Sequence, residues 1–245
     1  MFSNLFSVEL LKTKRSVLWI IALLIPSLAT FLGVGNLLVN AREFIEPDAN
    51  LWVDAWSQVV IFYGMIFLPI LVGIYASTIC RVDHLNGGWK QVLSFPISHV
   101  KLYFAKLLTL YLLLAVTQIS LVIQYVAIGH LFDLSGTFIL KDFIIYGLFG
   151  WLASLPLASL QLWLAFNWKS FALPLTVNIG LTIPVLMVSQ TPYGFFYPWA
   201  QPSMMMSPAY EAFRPPIEQL LIIFSVLLVL FTVLGLLHFR RKEFS

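Results

Sequence analysis

The sequence predicts an all-α membrane protein that crosses the bilayer six times. Hydrophobic residues make up 60% of its 245 residues and charged residues only 10%, whereas soluble domains carry about 25% charged residues. Apolar windows of about 20 residues, the length that crosses ~30 Å of hydrocarbon, recur six times, and none contains Lys, Arg, Asp or Glu. We therefore expect residues 1–245 to form a single membrane domain.

The connections between the predicted spans alternate in charge. The amino-terminal arm, the loop 81–106, the turn 167–170 and the tail together hold 11 basic and 3 acidic residues, and the other three connections hold 3 basic and 8 acidic residues. Because cytoplasmic connections are enriched in Lys and Arg, both termini are predicted to be cytoplasmic. The spans are expected near residues 17–39, 57–80, 107–130, 143–166, 171–189 and 219–239.

The amino terminus is expected to stay on the protein as an interfacial helix followed by the first span. The apolar run 17–39 is longer than the 7–15 residues of a signal-peptide core, so it is interpreted as a retained span. Ahead of it, residues 1–14 are too polar to cross the bilayer. Glu9 shares the apolar face of this predicted helix, and either a protein partner or Lys12, three residues further on, would neutralise its carboxylate.

The loop 81–106 is the long polar connection on the basic side, and it is predicted to contain a short helix over residues 89–95. Trp89 and Leu93 fall at i and i+4 and therefore share one face of that helix. A short helix across the membrane end could rest on lipid or be held by a partner protein. The polar and turn-forming residues of the loop include Asp83, Gly87, Gly88, Lys90 and Pro96.

The connection 190–216 is the longest on the acidic side and is rich in proline, aromatic residues and methionine. Its prolines preclude a regular strand or a long helix, and its apolar content argues against a solvated loop. We expect short helical pieces that dip into the outer leaflet or cap a cavity, with a plain interfacial loop as the alternative. The candidate residues of an outer gate are Tyr193, Phe195, Phe196 and Trp199.

Prolines and amides interrupt the apolar spans. Kinks are expected at Pro26, Pro69, Pro156, Pro174 and Pro184. Buried amides join helices more often than they bind cargo, and both roles stay open for Gln118, Gln124, Gln161 and Asn178. Trp56 is predicted to belong to the interfacial aromatic belt, and His84 and His99 are expected to be surface or interfacial residues.

Missing residue types exclude several functions. Proton- or sodium-coupled transporters place a carboxylate at mid-membrane and voltage sensors place arginines there, but the predicted spans contain neither. The four histidines form no H-E-x-x-H motif, and no G-x-x-x-x-G-K-[ST] motif occurs. We therefore predict no catalytic residue, metal site or cofactor on this chain, and the energy for any work must come from another polypeptide.

Three stretches carry a family resemblance: VELLKTKRSVLWI at 8–20, GGWKQVLSFPISHVKLYFAKLL at 87–108, and the outer loop before the last span. They are similar, respectively, to the amphipathic arm, the cytoplasmic coupling helix and the re-entrant outer region of the permease subunits of type-2 ABC exporters. More narrowly, they resemble the lantibiotic-immunity permeases of Gram-positive bacteria. The chain departs from that pattern at His99, where a basic residue, commonly arginine, is usual.

The resemblance implies a permease in the bacterial plasma membrane, paired with itself or a sister subunit and bound to a cytoplasmic ABC ATPase dimer. ATP and Mg would bind only on the ATPase, and the cargo would be a peptide antibiotic or a similar amphiphile, with no nucleic acid as a partner. A non-transporting sensor or structural partner that presents the outer loop to a ligand is the alternative, and an intramembrane enzyme is disfavoured. The implied ATPase-coupling residues are Glu9, Lys12, Asp83, Gly87, Gly88, Trp89, Lys90, Leu93 and Pro96.

Overall fold

The computed structural model describes residues 2–40, 49–85, 88–89, 97–208, 210 and 214–241. The regular structure of these residues is entirely helical. In chain order the elements are α1 (Phe2–Thr13), α2 (Leu18–Val39), α3 (Leu51–Phe62), a π-helical turn (Tyr63–Phe67), α4 (Leu68–His84), α5 (His99–Leu131), α6 (Leu140–Asn167), α7 (Ala172–Thr182), α8 (Val185–Val188), a 3₁₀ turn (Pro192–Phe196), α9 (Gln201–Met206) and α10 (Ile217–Arg241).

Among the described residues, five helices are long and apolar enough to cross a membrane. They are Leu18–Val39, Leu51–His84, His99–Leu131, Leu140–Asn167 and Ile217–Arg241. The second of these runs continuously through α3, the π-helical turn and α4. The fifth predicted span, 171–189, is instead a shorter apolar segment, Ala172–Val188, in which α7 ends before Pro184 and α8 begins after it. Proline has no N–H to continue the α7 ladder, which explains the break.

The helices around the loop 81–106 are longer than the apolar windows alone suggest. The helix predicted over 57–80 continues to His84, and the helix predicted over 107–130 already begins at His99. Asp83 and Lys106 therefore belong to helices rather than to a loop. Their charges are tolerated there because they pair with other charges of the chain.

A π-helical turn lies within the helix that α3 and α4 share. The backbone N–H of Leu68 donates to the carbonyl of Tyr63, and Pro69 follows directly in the first turn of α4. This irregularity brings the backbone close to α9, because a Cβ atom added at Gly64 would lie 3.0 Å from the Cα atom of Ser203. A π-helical turn next to a proline is a usual cause of a bend in a helix.

The helices gather the basic connections at one end of the bundle and the acidic connections at the other. At the basic end, the ring of Trp89 contacts the rings of Phe166 and Phe239. At the acidic end, Asn50 Nδ2 donates to the carbonyl of Thr137 at 2.9 Å. The alternation of charge along the sequence thus corresponds to two separate ends of the molecule, which we call the basic end and the acidic end.

Helix α6 lies at the centre of the bundle. It packs against α4, α5, α9 and α10. Helix α10, in contrast, leaves large apolar side chains uncovered, including Ile222 and Val229, which are 62% and 60% exposed. Such an apolar outer face is expected of a helix that contacts lipid.

Candidate functional site

Four charged side chains form a compact cluster at the basic end. Lys12 Nζ lies 2.7 Å from Glu9 Oε1 and 2.9 Å from Asp83 Oδ1. Lys106 Nζ lies 2.7 Å from Glu9 Oε2 and also contacts Asp83 Oδ2. Each ammonium therefore bridges both carboxylates, and each carboxylate oxygen faces one ammonium. We call these four residues the charge cluster.

The charge cluster is largely closed off from solvent. Glu9 is 2% exposed, Asp83 is 3% exposed and Lys106 is fully buried, while the side chain of Lys12 is 23% exposed. Lys106 Nζ makes one further contact, 3.4 Å from the carbonyl oxygen of Ile79. A buried charge without a partner costs several kcal/mol, so two positive and two negative groups are stable here only because they neutralise one another.

Three helices supply the charge cluster. Glu9 and Lys12 are three residues apart and so lie on the same side of α1. Asp83 lies in the last turn of α4, and Lys106 lies near the start of α5. The ion pair between Glu9 and Lys12 is one of the two arrangements that the sequence left open for Glu9, and the structure adds Lys106 to it. The cluster thus fastens α1 to the two helices that flank the predicted coupling loop.

Trp89 lies beside the charge cluster. Lys106 Nζ lies 5.5 Å from the centroid of the Trp89 ring, a distance typical of a cation–π contact. The indole Nε1 donates to His84 Nδ1 at 3.0 Å. Because Nδ1 accepts this bond, the other ring nitrogen of neutral His84 carries the hydrogen, and it lies 3.1 Å from the carbonyl oxygen of Ala165. His84 is therefore half-buried between α4 and α6.

Aromatic side chains hold the Trp89 indole inside the chain. Its ring centroid lies 5.7 Å from that of Phe166 and 5.5 Å from that of Phe239, and the indole is only 4% exposed. The sequence left open whether the short loop helix rests on lipid or is held by a partner protein, and the structure buries its first side chain, Trp89, within the chain. The ends of α6 and α10 meet at this point, and their phenyl rings pack around the indole. His84 supplies an acceptor for the indole N–H.

Of the other predicted coupling residues in the loop 81–106, the structure describes Gly88. A Cβ atom added to it would lie 3.0 Å from the carbonyl oxygen of Asp83, so a close backbone approach favours glycine. The predicted coupling residues that lie outside the described part of the chain are Gly87, Lys90, Leu93 and Pro96.

Lys106 is the cluster residue that sequence reasoning missed. In the sequence it stands directly before an apolar run and is indistinguishable from an ordinary charge flanking a span. Its partner Glu9 is 97 positions away, so no local pattern connects the two. Asp83 is one of the residues that the resemblance implies for ATPase coupling, and both of its carboxylate oxygens face lysines of α1 and α5.

Two of the candidate amides join helices in the centre of the bundle. Asn178 Oδ1 accepts hydrogen bonds from Gln161 Nε2 and from Trp199 Nε1, both at 2.8 Å. Asn178 Nδ2 donates to the carbonyl of Pro69 at 2.7 Å. Asn178 therefore ties α7 to α4, to α6 and to the outer segment, and both amide side chains are fully buried.

The other two amides also contact neighbouring helices. Gln124 Nε2 donates to the carbonyl of Leu23 at 3.1 Å and so joins α5 to α2. Gln118 Nε2 donates to the carbonyl of Gly147 at 3.1 Å and joins α5 to α6. Gln118 also lines an apolar groove of about 630 Å³ between these two helices. Gln118 therefore combines a contact between helices with a place on an open groove.

The outer segment contains short helices that pack into the acidic end. Every residue of α9 is buried, in agreement with the short helical pieces that the sequence predicted. Trp56 Nε1 donates to the carbonyl of Met206 at 2.8 Å, and the Trp56 side chain is fully buried. Trp56 was predicted to lie in the interfacial belt, and that prediction is wrong, because the C-terminal carbonyl of α9 supplies an acceptor inside the bundle.

The four candidate gate residues do not form one group. Phe195 is fully buried and Trp199 is 5% exposed. Tyr193 is 77% exposed and Phe196 is 60% exposed. The 3₁₀ turn Pro192–Phe196 therefore directs one aromatic side chain into the bundle and two away from it.

Long apolar helices, a buried charge cluster at one end and an inward-packed segment at the other define a multi-pass membrane protein. A family model described as "ABC-2 family transporter protein" matches residues 5–185, which is more than half of the chain. The chain therefore belongs to the ABC-2 family of transporter proteins. No curated protein sequence matches it at a significant level.

Family membership identifies the chain as a membrane permease subunit of an ABC transporter. It is the transmembrane component and not the ATPase, and the family implies an ABC ATPase partner and a lipid membrane. The matched residues include the whole charge cluster, from α1 to the start of α5. The inward-packed helix α9 lies beyond the matched range.

Proposed function

We propose that the chain is the permease subunit of an ATP-driven exporter in a bacterial plasma membrane, with both termini and the basic end in the cytoplasm. It works as a pair, with a second copy or a sister permease, on a dimer of ABC ATPase subunits that binds ATP and Mg. The cargo is a peptide antibiotic of the lantibiotic type or a similar amphiphile, which leaves from the membrane to the outside.

The charge cluster is the observation that supports coupling at the basic end. It joins α1 to the ends of α4 and α5, so these three helices must move together unless buried ion pairs break. Trp89 lies next to the cluster and also contacts α6 and α10. A force applied through Trp89 would therefore reach α4, α5, α6 and α10 at once.

In this proposal Trp89 anchors the loop and does not itself contact the ATPase. The contact falls to side chains beyond it, of which Leu93 and Lys90 are our candidates. Leu93→Asp is expected to uncouple ATP hydrolysis from export while membrane insertion stays normal. Lys101→Gln, an exposed residue at the same end of the bundle, is the matched control. Normal export by the Leu93 variant would defeat this assignment.

Co-purification tests the proposal as a whole. The chain is expressed together with an ABC ATPase subunit from the same genome, solubilised and isolated through a tag on the permease. We expect the two proteins to purify as one complex and the permease to change the ATP hydrolysis rate of the ATPase. If the ATPase neither binds nor responds, the proposal is wrong.

A cationic cargo is favoured by the charge of the acidic end, where the connections hold 3 basic and 8 acidic residues. A surface of one sign attracts ligands of the opposite sign and speeds their association. Stimulation of ATP hydrolysis by a cationic antibiotic peptide, compared with a neutral amphiphile of similar length, measures this preference. Equal stimulation by both would remove the argument for a cationic cargo.

The alternative is a sensor that presents its outer segment to a ligand without moving it. The exposure of Tyr193 and Phe196 favours this candidate, because two large aromatic side chains lie open beside the buried α9. Transport into inverted vesicles separates the two functions. An exporter accumulates labelled peptide only with ATP, whereas a sensor binds the peptide equally well with or without ATP.

A further inference from the structure

A second surface at the basic end has no role in the mechanism proposed above. It is an open groove of about 520 Å³ between α1, the start of α2 and the middle of α5. The residues that line it are Ser7, Leu10, Leu11, Lys14, Trp19 and Leu112.

The groove has an apolar wall and a cationic end. Ser7, Leu10 and Leu11 fall at i, i+3 and i+4 and so form one face of α1. Lys14 follows immediately after the last residue of that helix. The buried residues of α1, Glu9 and Thr13, face the bundle. Helix α1 therefore packs against the bundle with one side and lines the groove with the other.

Lys14 is the cation that lines the groove, and Arg15 follows it in the sequence. Lys14 and Arg15 are both exposed, and within the described part of the chain neither side chain has an ion-pair partner. The Glu9 carboxylate of α1 does not form an ion pair with either of them, because its two oxygens face Lys12 and Lys106. Lys14 therefore places a cation that has no ion-pair partner among the described residues beside the apolar surface of the groove.

The groove is preformed rather than created by a ligand. The carbonyl of Thr13 accepts hydrogen bonds from the backbone N–H of Ser16 and from Trp19 Nε1, both at 2.9 Å. These bonds fix the turn between α1 and α2 and hold the Trp19 ring as one wall. The groove is open to the outside of the bundle along Leu11 of α1 and Leu112 of α5, which are 64% and 38% exposed. A preformed site loses little ordering entropy when it is filled.

We propose that this groove binds one anionic phospholipid, with its phosphate at Lys14 and an acyl chain along Leu10, Leu11 and Leu112. A free phosphate would gain nothing from the leucine wall, and a lipid without net charge would leave the charge of Lys14 uncompensated. The lipid would press α1 against the bundle on the side opposite Glu9. Occupancy of the groove thereby supports the docking of the helix that carries half of the charge cluster.

Quenching of tryptophan fluorescence by brominated lipids tests this site. The full chain is reconstituted in phosphatidylcholine bilayers that contain either brominated phosphatidylglycerol or brominated phosphatidylcholine. Trp19 lines the groove, so the part of the emission of the eight tryptophans that Trp19→Phe removes reports the lipid bound there. We expect stronger quenching by the anionic lipid, and we expect this difference to disappear in Trp19→Phe because the reporter is gone.

Charge variants separate a specific site from general surface attraction. One cation near a membrane contributes about a fivefold preference for anionic lipid. Lys14→Gln should therefore lower, by about that factor, the preference for phosphatidylglycerol over phosphatidylcholine that the quenching of Trp19 reports. Lys14→Arg should retain it, and Lys101→Gln, an exposed lysine of α5 at the same end, should leave it unchanged.

Three results would overturn the proposal. The first is equal quenching of the wild-type chain by the two lipids. The second is an equal loss in the Lys14→Gln and Lys101→Gln variants, which would show only general attraction to the basic end. The third is displacement of the brominated lipid by soluble glycerol phosphate, which would show that Lys14 binds a free anion without the acyl chain.

Discussion

Replacing Lys106 by methionine removes one ammonium from the centre of the charge cluster while keeping a side chain of similar length. In the wild type, Lys106 Nζ contacts one oxygen of Glu9 and one of Asp83, and it is fully buried. In the variant, two carboxylates share the single ammonium of Lys12. One negative charge then stays buried without compensation.

We expect Lys106→Met to lower the free energy of unfolding by about 3–5 kcal/mol, the usual cost of removing one partner from a buried ion pair. The second substitution Glu9→Gln restores the balance, because it leaves Lys12 and Asp83 as a neutral pair at 2.9 Å. Residues of one charge network couple by about 0.5–3 kcal/mol. The double variant should therefore be more stable than the two single losses combined would predict.

Titration of the purified chain with a denaturing detergent, followed by tryptophan fluorescence, measures these free energies. Lys101→Met is the matched control, and as an exposed residue it should change stability by no more than about 0.5 kcal/mol. Strictly additive losses in the double variant, or equal losses at Lys101 and Lys106, would refute the reasoning.

Three further predictions concern the packing of the bundle and use the same detergent titration unless stated. Gly33→Ala should cost about 1–3 kcal/mol, because its Cβ would lie 2.5 Å from the backbone N and Cα atoms of Val59; Gly180→Ala, which has open space around it, should cost nothing. Trp56→Phe should cost about 1–3 kcal/mol, because the carbonyl of Met206 loses its indole donor, and an unchanged midpoint would count against that bond. Asn178→Leu should make the outer segment sensitive to limited proteolysis, since two donors lose their shared acceptor; wild-type resistance would contradict this.

Patterns that depend on composition along the chain were readable from the sequence. The sign of the charge in each connection predicted which segments lie together, and the contacts at the two ends of the bundle agree with that grouping. The short helices of the outer segment followed from prolines within an apolar stretch. These features are local, so a single sequence contains enough information to predict them.

Features that depend on distant partners were not readable. Trp56 stands at the start of an apolar run and Trp89 stands in the polar loop 81–106, and at both places an indole suits the membrane interface and the protein core equally well. Their burial is decided by acceptors elsewhere, the carbonyl of Met206 and the ring of His84. The charge cluster could not be predicted for the same reason, because Glu9 and Lys106 are 97 positions apart in the sequence.

The measurement that tests the proposed coupling most directly is the number of peptide molecules moved per ATP hydrolysed. It requires proteoliposomes that contain the chain and its ABC ATPase, with labelled cationic peptide as cargo. We expect the stable double variant Glu9→Gln, Lys106→Met to keep the ATPase bound and hydrolysing while its ratio of peptide to ATP falls well below the wild-type ratio. Equal ratios in the variant and the wild type would contradict a coupling role for the charge cluster.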